Sequence, residues 1–330
     1  MFEWIFESLG LVGNAIILLL GILVLDKFSD ITIDNSVKVA EITGVGKMTI
    51  GFLLIAFSTS LPELSVSAFS AADPEVIGVA IGNVLGSNIV NICLILGVCF
   101  LTLVLKNHGT HSFSRSITEN IRDLYFGLFI ASLIPLVLIY IGYASSVIGV
   151  ILVMIFIAYN IQMIKSRKDK GENEKYDLDE KGKVIRYVLL ALLGMAGVIA
   201  SAYFIVESAS YIAEKMGVPK VIIGATIVAF GTSLPEFVTS IDATKKGHIE
   251  LALGNIVGSG FINTTLILGV ALLGAPFRVN MAAYSHLVIF SIMTNLLLWY
   301  FLSSERISWR ESVILLFIYI LFITTSFGAR

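Results

Sequence analysis

A chain whose apolar residues come in bilayer-length runs, one after another with short polar turns between them, has few ways to fold. Ten such runs can be read here, near 9–29, 46–72, 76–105, 121–142, 144–164, 186–213, 220–243, 250–274, 281–302 and 309–327. A helix needs about 20 apolar residues to cross the hydrocarbon core, and a backbone without access to water must satisfy its own N–H and C=O groups. Hydrophobic residues make up 57% of the chain, charged residues 14%, and the mean hydropathy is +0.92. This pattern predicts an all-α, multi-pass membrane protein with membrane lipid as its principal surroundings.

The same numbers set aside other classes. A net charge of -2, with no basic cluster interleaved with aromatics, excludes nucleic acid as a partner. No nucleophile–base–oxyanion constellation and no phosphate loop is present, so neither an enzyme nor an ATP-driven pump is expected, and no cofactor or required protein partner is implied. Cys93 and Cys99 stand in an apolar run and read as small hydrophobes. Glu3 and Glu7 precede the first run where a cleaved leader would carry basic residues, so the first helix is expected to stay.

The one strongly charged stretch, 165–186, reads as a solvated loop. It divides the chain into a first half at 1–164, a loop at 165–185 and a second half at 186–330. With ten crossings and an outside N-terminus, 18 Lys and Arg residues fall inside and 4 outside. That bias predicts a cell-membrane protein with both termini outside and the central loop cytoplasmic.

The halves repeat each other. Phe57-Ser-Thr-Ser-Leu-Pro-Glu63 recurs as Phe230-Gly-Thr-Ser-Leu-Pro-Glu236, and nine of the eighteen positions in 51–68 match 224–241. A second block, Gly82-Asn-Val-Leu-Gly-Ser-Asn-Ile-Val-Asn91, aligns with Gly254-Asn-Ile-Val-Gly-Ser-Gly-Phe-Ile-Asn263. Five spans separate each copy from its partner, so the halves cross in opposite directions as two inverted five-helix repeats. Transporters with this arrangement place discontinuous helices and a midplane site between the halves.

Each block carries chemistry that lipid does not tolerate without cause. Glu63 and Glu236 lie well inside their spans, where an acid costs about 2.5–3.5 kcal/mol on insertion scales. The bland reading is a protonated, hydrogen-bonded structural glutamate, which symmetry-related recurrence disfavours; two carboxylates converging on one site predict a bound cation or a shared proton. Pro62 and Pro235 remove a helical N–H and distort the turn before each acid. Thr59 and Thr232, with Ala56 and Ala229 a turn earlier, share the acid's helix face. In the second block, Ser87 and Ser259 follow glycines, and Asn91 and Asn263 follow one turn later as accessory ligands. The Gly82/Gly86 and Gly254/Gly258 spacings also predict close helix packing. Carboxylate, hydroxyl, amide and backbone oxygens, without thiolate or imidazole, suit Ca2+ or several Na+. His108, His111, His248 and His286 read as solvated or lone, Asp34 and Glu207 as surface groups, and Trp4, Trp299 and Trp309 as interfacial anchors.

At these four blocks the sequence resembles the cation/calcium antiporter superfamily, and within it the prokaryotic sodium/calcium exchangers. The resemblance spans the chain and implies Ca2+ binding by Glu63, Glu236 and the backbone oxygens of Thr59 and Thr232. It further implies Na+ binding that shares Thr59, Glu63, Thr232 and Glu236 and adds Ala56, Ser60, Ser87, Ala229, Ser233 and Ser259. Some archaeal exchangers and the potassium-dependent members carry Asp where this chain has Asn263, whereas animal sodium/calcium exchangers resemble this chain in having Asn, which disfavours potassium co-transport. Proton/calcium exchangers usually place an acid soon after the Gly-Asn of the second block, and this chain does not. The implied function is a secondary antiporter that exchanges Na+ for Ca2+ by electrogenic alternating access. The alternatives are H+/Ca2+ exchange and, from another class, a cation channel.

Overall fold

A computed structural model describes residues 3–44, 46–71, 77–106, 110–113, 115–169, 183–217, 229–274, 279–280, 284–304 and 306–328. The described chain is almost entirely helical. Among the described residues eight helices are long and apolar enough to span a membrane, and the bent pair Lys47–Thr59 and Leu61–Ala68, which meet at 45°, brings the number to nine when counted as one broken span. Of the expected run at 220–243, residues up to 228 lie outside the described chain.

The first helix, α1 (Glu3–Thr43), is far longer than the expected span at 9–29. Hydropathy falls at Asp26 and Lys27, but the helix continues because Ser29, Thr32 and Ser36 are buried against protein rather than lipid. Its helical geometry breaks once, at Gly10 (φ 63°), where the Asn14 amide donates to Phe6 O at 2.7 Å and Gly10 O at 2.8 Å. Glycines let another long helix approach α1 closely: a Cβ on Gly194 would fall 2.9 Å from Thr32 N.

The next span is broken into α2 (Lys47–Ile50), a π-helical turn π1 (Gly51–Ile55), α3 (Ala56–Thr59) and α4 (Leu61–Ala71). Then follow α5 (Ile77–Ile89), π2 (Val90–Leu96) and α6 (Gly97–Lys106), strand β1 (Thr110–Ser112), α7 (Arg115–Ile141), β2 (Tyr143–Ala144) and α8 (Ser146–Asp169). The second half opens with α9 (Val184–Lys215), the partner of α1, and α10 (Ala229–Thr232) and α11 (Leu234–Lys245). It continues with α12 (Ile249–Ile262), π3 (Asn263–Ile267), α13 (Leu268–Gly274), β3 (Val279–Asn280), α14 (Ser285–Ser303), β4 (Arg306–Ser308) and α15 (Trp309–Gly328). Residues 165–169 continue α8 and Val184 begins α9, while residues 170–182 lie outside the described chain.

Helices that are apolar all round belong inside a protein or against lipid, and both kinds occur. Over its most apolar window, Ile249–Gly274 is 83% buried, whereas Phe6–Thr43 is 11% buried. The second sequence block of each half thus forms the centre. Cys93 and Cys99 are buried free thiols there, as their apolar setting predicts. Trp299 is more than an anchor, since it stacks on Tyr125 with centroids 5.8 Å apart.

Two short antiparallel pairs tie the loops. β1 pairs with β4 and β2 with β3, at opposite ends of α7, whose 27 residues extend about 40 Å at 1.5 Å per residue. Near one end, Lys106 donates to Lys245 O at 2.9 Å and Lys47 Nζ lies 3.2 Å from His248 Nδ1. Burial and the nearby Lys47 charge lower the His248 pKa.

Lys246, after α11, ties the bundle to α1. Its amine is 2.8 Å from Asp30 Oδ1 and 2.7 Å from Asp34 Oδ1, so Asp34 is, as expected, a surface group and there pairs with a lysine. Burial pulls the Lys246 amine down, but its hydrogen bonds to Asp30 and Asp34 outweigh that and raise it above the ordinary 10.5. A raised lysine pKa contributes stability that is complete below the unfolded value and lost as pH rises through the folded one. Lys246→Met is therefore expected to lower thermal stability by about 0.5–1 kcal/mol near neutral pH. In detergent melts, the difference from the parent should hold up to about pH 10 and vanish above it.

Candidate cation site

Each acid sits at a helix break that its own sequence creates. Pro62 and Pro235 occupy the second positions of α4 and α11, where a missing N–H costs nothing. The residues just before these helices leave helical geometry together, Ser60 at φ -82°, ψ 8° and Ser233 at φ -89°, ψ 6°. Glu63 and Glu236 therefore lie in the first turns of new helices, where the dipole favours a carboxylate. Thr59 and Thr232 end the preceding helices, where terminal carbonyls lack helical partners and favour cations.

The breaks turn each serine toward the other repeat. Ser60 Oγ donates to Glu236 Oε1 at 3.1 Å, and Ser233 Oγ donates to Glu63 Oε1 at 3.3 Å. The Thr232 side chain lies beside Glu63, and that of Thr59 beside Glu236. Ser259 joins through a 2.9 Å hydroxyl contact with Ser60 and accepts from Asn91 Nδ2 at 3.0 Å. Glu63 and Glu236 are completely buried, at 0% exposure, and close enough for their charges to repel.

On the expected site residues, four side-chain oxygens remain unmatched. Among the described residues, Glu63 Oε2, Glu236 Oε2, Asn91 Oδ1 and Asn263 Oδ1 are buried without a hydrogen-bond partner. A buried polar atom left unpaired costs about 1–3 kcal/mol, and a charged one more. Three of them belong to residues joined through Ser60, Ser233 and Ser259, and acceptors so grouped answer to cations, not to further acceptors. The donors here are carboxylate, amide and hydroxyl oxygens, a hard set.

Most of the expected site residues fall together, though not all. Glu63, Glu236, Thr59, Thr232, Ser60, Ser233, Ser259 and Asn91 meet at the centre. Ala56 is buried and packs against Gly258 at the crossing of α3 and α12. Ser87 is buried on α5, while the side chain of Ala229 lies outside the described residues. Asn263 donates its Nδ2 to Asn88 Oδ1 at 3.0 Å. The predicted close packing holds at Gly254, where a Cβ would meet Met48 O at 2.0 Å; at Gly82 and Gly86 no described atom lies within 4 Å. His108 lies outside the described residues, and His286 is exposed with Thr325 as its hydrogen-bond neighbour.

Three asparagines support the site without having been expected there. Asn255 donates to Ser240 Oγ at 2.9 Å and Thr239 Oγ1 at 3.2 Å, while its Oδ1 accepts from Thr59 Oγ1 at 3.2 Å. Asn83, its repeat mate, donates to Ser67 Oγ at 3.2 Å and Glu63 O at 3.3 Å. Both belong to the Gly-Asn that opens each second block, so their recurrence was the available signal. Asn88 has no counterpart in the other repeat, where Gly260 stands.

The sequence pattern of the family described as sodium/calcium exchanger protein matches residues 13–165 and 186–328. The chain is 31% identical to the sodium/calcium exchanger MaX1 of Methanosarcina acetivorans, over 95% of this chain and 98% of that one. It is 33% identical to an uncharacterized membrane protein of Methanocaldococcus jannaschii, over 93% and 96%. Among solved structures, the sodium-calcium exchanger NCX_Mj soaked with 10 mM Na+ and zero Ca2+ superposes with a TM-score of 0.78 at 29% identity. That match covers 95% of this chain and 99% of the other.

Proposed function

The chain belongs to the sodium/calcium exchanger protein family, and from that premise we propose that it is a secondary antiporter in which Ca2+ and Na+ compete for one midplane cage. The observation that carries this reading is the set of four unmatched, buried oxygens, two of them on repeat-related glutamates. Ca2+ takes Glu63 and Glu236 with the carbonyls of Thr59 and Thr232. Na+ ions share these ligands and draw on Ser60, Ser233, Ser87, Ser259, Ala56 and Ala229, with Asn91 and Asn263 as accessory amides. Because the carboxylates are shared, full occupancy by one cation excludes the other.

Exchange follows from the cost of the empty state. Two bare carboxylates in a low dielectric repel strongly, so reorientation is costly unless Ca2+ or Na+ neutralises them. Either load lowers the barrier and the empty carrier stays put, which couples the two flows. More than two Na+ per Ca2+ would move net charge and make exchange voltage-sensitive. We assign the chain ten spans in two inverted halves, 1–164 and 186–330, with the central loop cytoplasmic and the termini outside. The pairing of β1 with β4 and of β2 with β3 supports this grouping of the loops.

Ca2+ uptake into proteoliposomes tests the reading. An outward Na+ gradient should drive uptake, K+ in its place should not, and a positive-inside diffusion potential set by K+ should change the rate. Uptake driven by a pH gradient alone would replace Na+ by H+ as counter-ion. Flux without any opposing ion would make the protein a channel.

A further inference from the structure

The two repeats hold their accessory amides differently. Asn91 Nδ2 is bound by Ser259, from the opposite repeat. By symmetry Asn263 would be held by Ser87, but its Nδ2 is bound at 3.0 Å by Asn88, the next residue along α5. Asn88 is itself 1% exposed, and its own Nδ2 has no partner among the described residues. Its repeat mate is Gly260, and a Cβ built there would sit 3.7 Å from Asn88 Oδ1. The Asn88 amide therefore lies alongside the bare backbone of its own counterpart, and the asymmetry is written at a single position.

A carboxamide has nearly the same shape either way round, and only its hydrogen bonds decide whether oxygen or NH2 faces a given direction. For a cation the difference is that between a ligand and a repelling dipole. With Asn88 Oδ1 opposite it at 3.0 Å, Asn263 turned over alone would set two carbonyl oxygens against each other. With its NH2 on Asn88, the buried Asn263 Oδ1 is left unpaired. We propose that Asn88 is a positioning residue that sets the Asn263 amide oxygen toward the cation cage and thereby tunes Na+ affinity. This rests on the exchange reading above. Na+ should be the more sensitive cargo, since it carries less charge to the two carboxylates and depends more on neutral oxygens.

The test is Na+-driven Ca2+ uptake in proteoliposomes with Asn88→Ala, Asn88→Asp, Asn263→Ala and the double variant Asn88→Ala/Asn263→Ala. Asn88→Ala is expected to raise the KM for Na+ about three- to tenfold, the size of one lost hydrogen bond at a ligand, with a smaller change for Ca2+. Asn88→Asp keeps the acceptor and should return the Na+ KM to the parent value or below. Because Asn88 acts through Asn263, the double variant should match Asn263→Ala alone. Where Asn88→Ala does not insert stably, Asn88→Ser replaces it with the same expectation. Multiplying effects in the double variant, failure of Asn88→Asp to rescue, or equal shifts for both ions would overturn the assignment. A parent protein without Na+-driven uptake would instead overturn the exchange reading.

Discussion

Glu236→Gln is expected to lower Na+-driven Ca2+ uptake by about 100- to 1,000-fold, the loss that follows when one member of a buried charge pairing is removed. Glutamine keeps the shape and the Oε1 that accepts from Ser60 at 3.1 Å. It removes one of two charges and puts an NH2 among acceptors that need a cation. Glu63→Gln should behave alike, its Oε1 retaining Ser233 at 3.3 Å. Folding should not suffer. Without ions, each variant should melt at or above the parent, since the repulsion between the two buried carboxylates is relieved. The parent should gain about 2.7 kcal/mol when Ca2+ is at a hundred times its Kd, and the variants should gain nothing at the same concentration. Parent-like uptake together with a parent-like Ca2+ melting shift in both variants would remove the glutamates from the site.

The repeated acids are legible in the chain because a proline and a carboxylate inside an apolar run have few structural explanations, and two copies have fewer. What is not legible is which serine serves which acid. Ser60 stands three residues before Glu63 and reads as its neighbour, yet the helix break turns it to Glu236. The crossing is tertiary information, set by how two inverted halves face each other. Asn88 escapes for a different reason. Comparison of the repeats directs attention to matching positions, and Asn88 is matched by Gly260. The length of α1 is hidden by hydropathy, which registers Asp26, Lys27 and Asp30 but not that Ser29, Thr32 and Ser36 are covered by protein. The three π-helical segments among the described residues, one of them opening on Asn263, have no signal in the sequence, although such segments recur at functional sites.

Cage geometry depends on how closely α2 and π1 cross α12, and Gly254→Ala is expected to destroy it. A Cβ at Gly254 would lie 2.0 Å from Met48 O and 3.0 Å from Phe52 N. These are backbone atoms of a buried helix and cannot rotate away as a side-chain tip can. Overpacking of a core commonly costs about 1–3 kcal/mol, and a clash with main chain on both turns of a crossing belongs at or beyond the top of that range. The damage should reach function even where the variant inserts. Forcing the helices apart moves α3 away from α12, and with it the Ser60–Ser259 contact at 2.9 Å and the Thr59–Asn255 bond at 3.2 Å. Gly260→Ala is the matched control, since its Cβ would meet nothing closer than 3.7 Å, an ordinary contact. Size-exclusion profiles, melting and uptake should separate the two, with Gly254→Ala losing most folded protein and nearly all exchange while Gly260→Ala melts near the parent. A Gly254→Ala protein that melts and transports like the parent would mean that this close crossing does not set the cage. Equal losses in both would show instead that the bundle tolerates no added volume on α12, whatever the local contact.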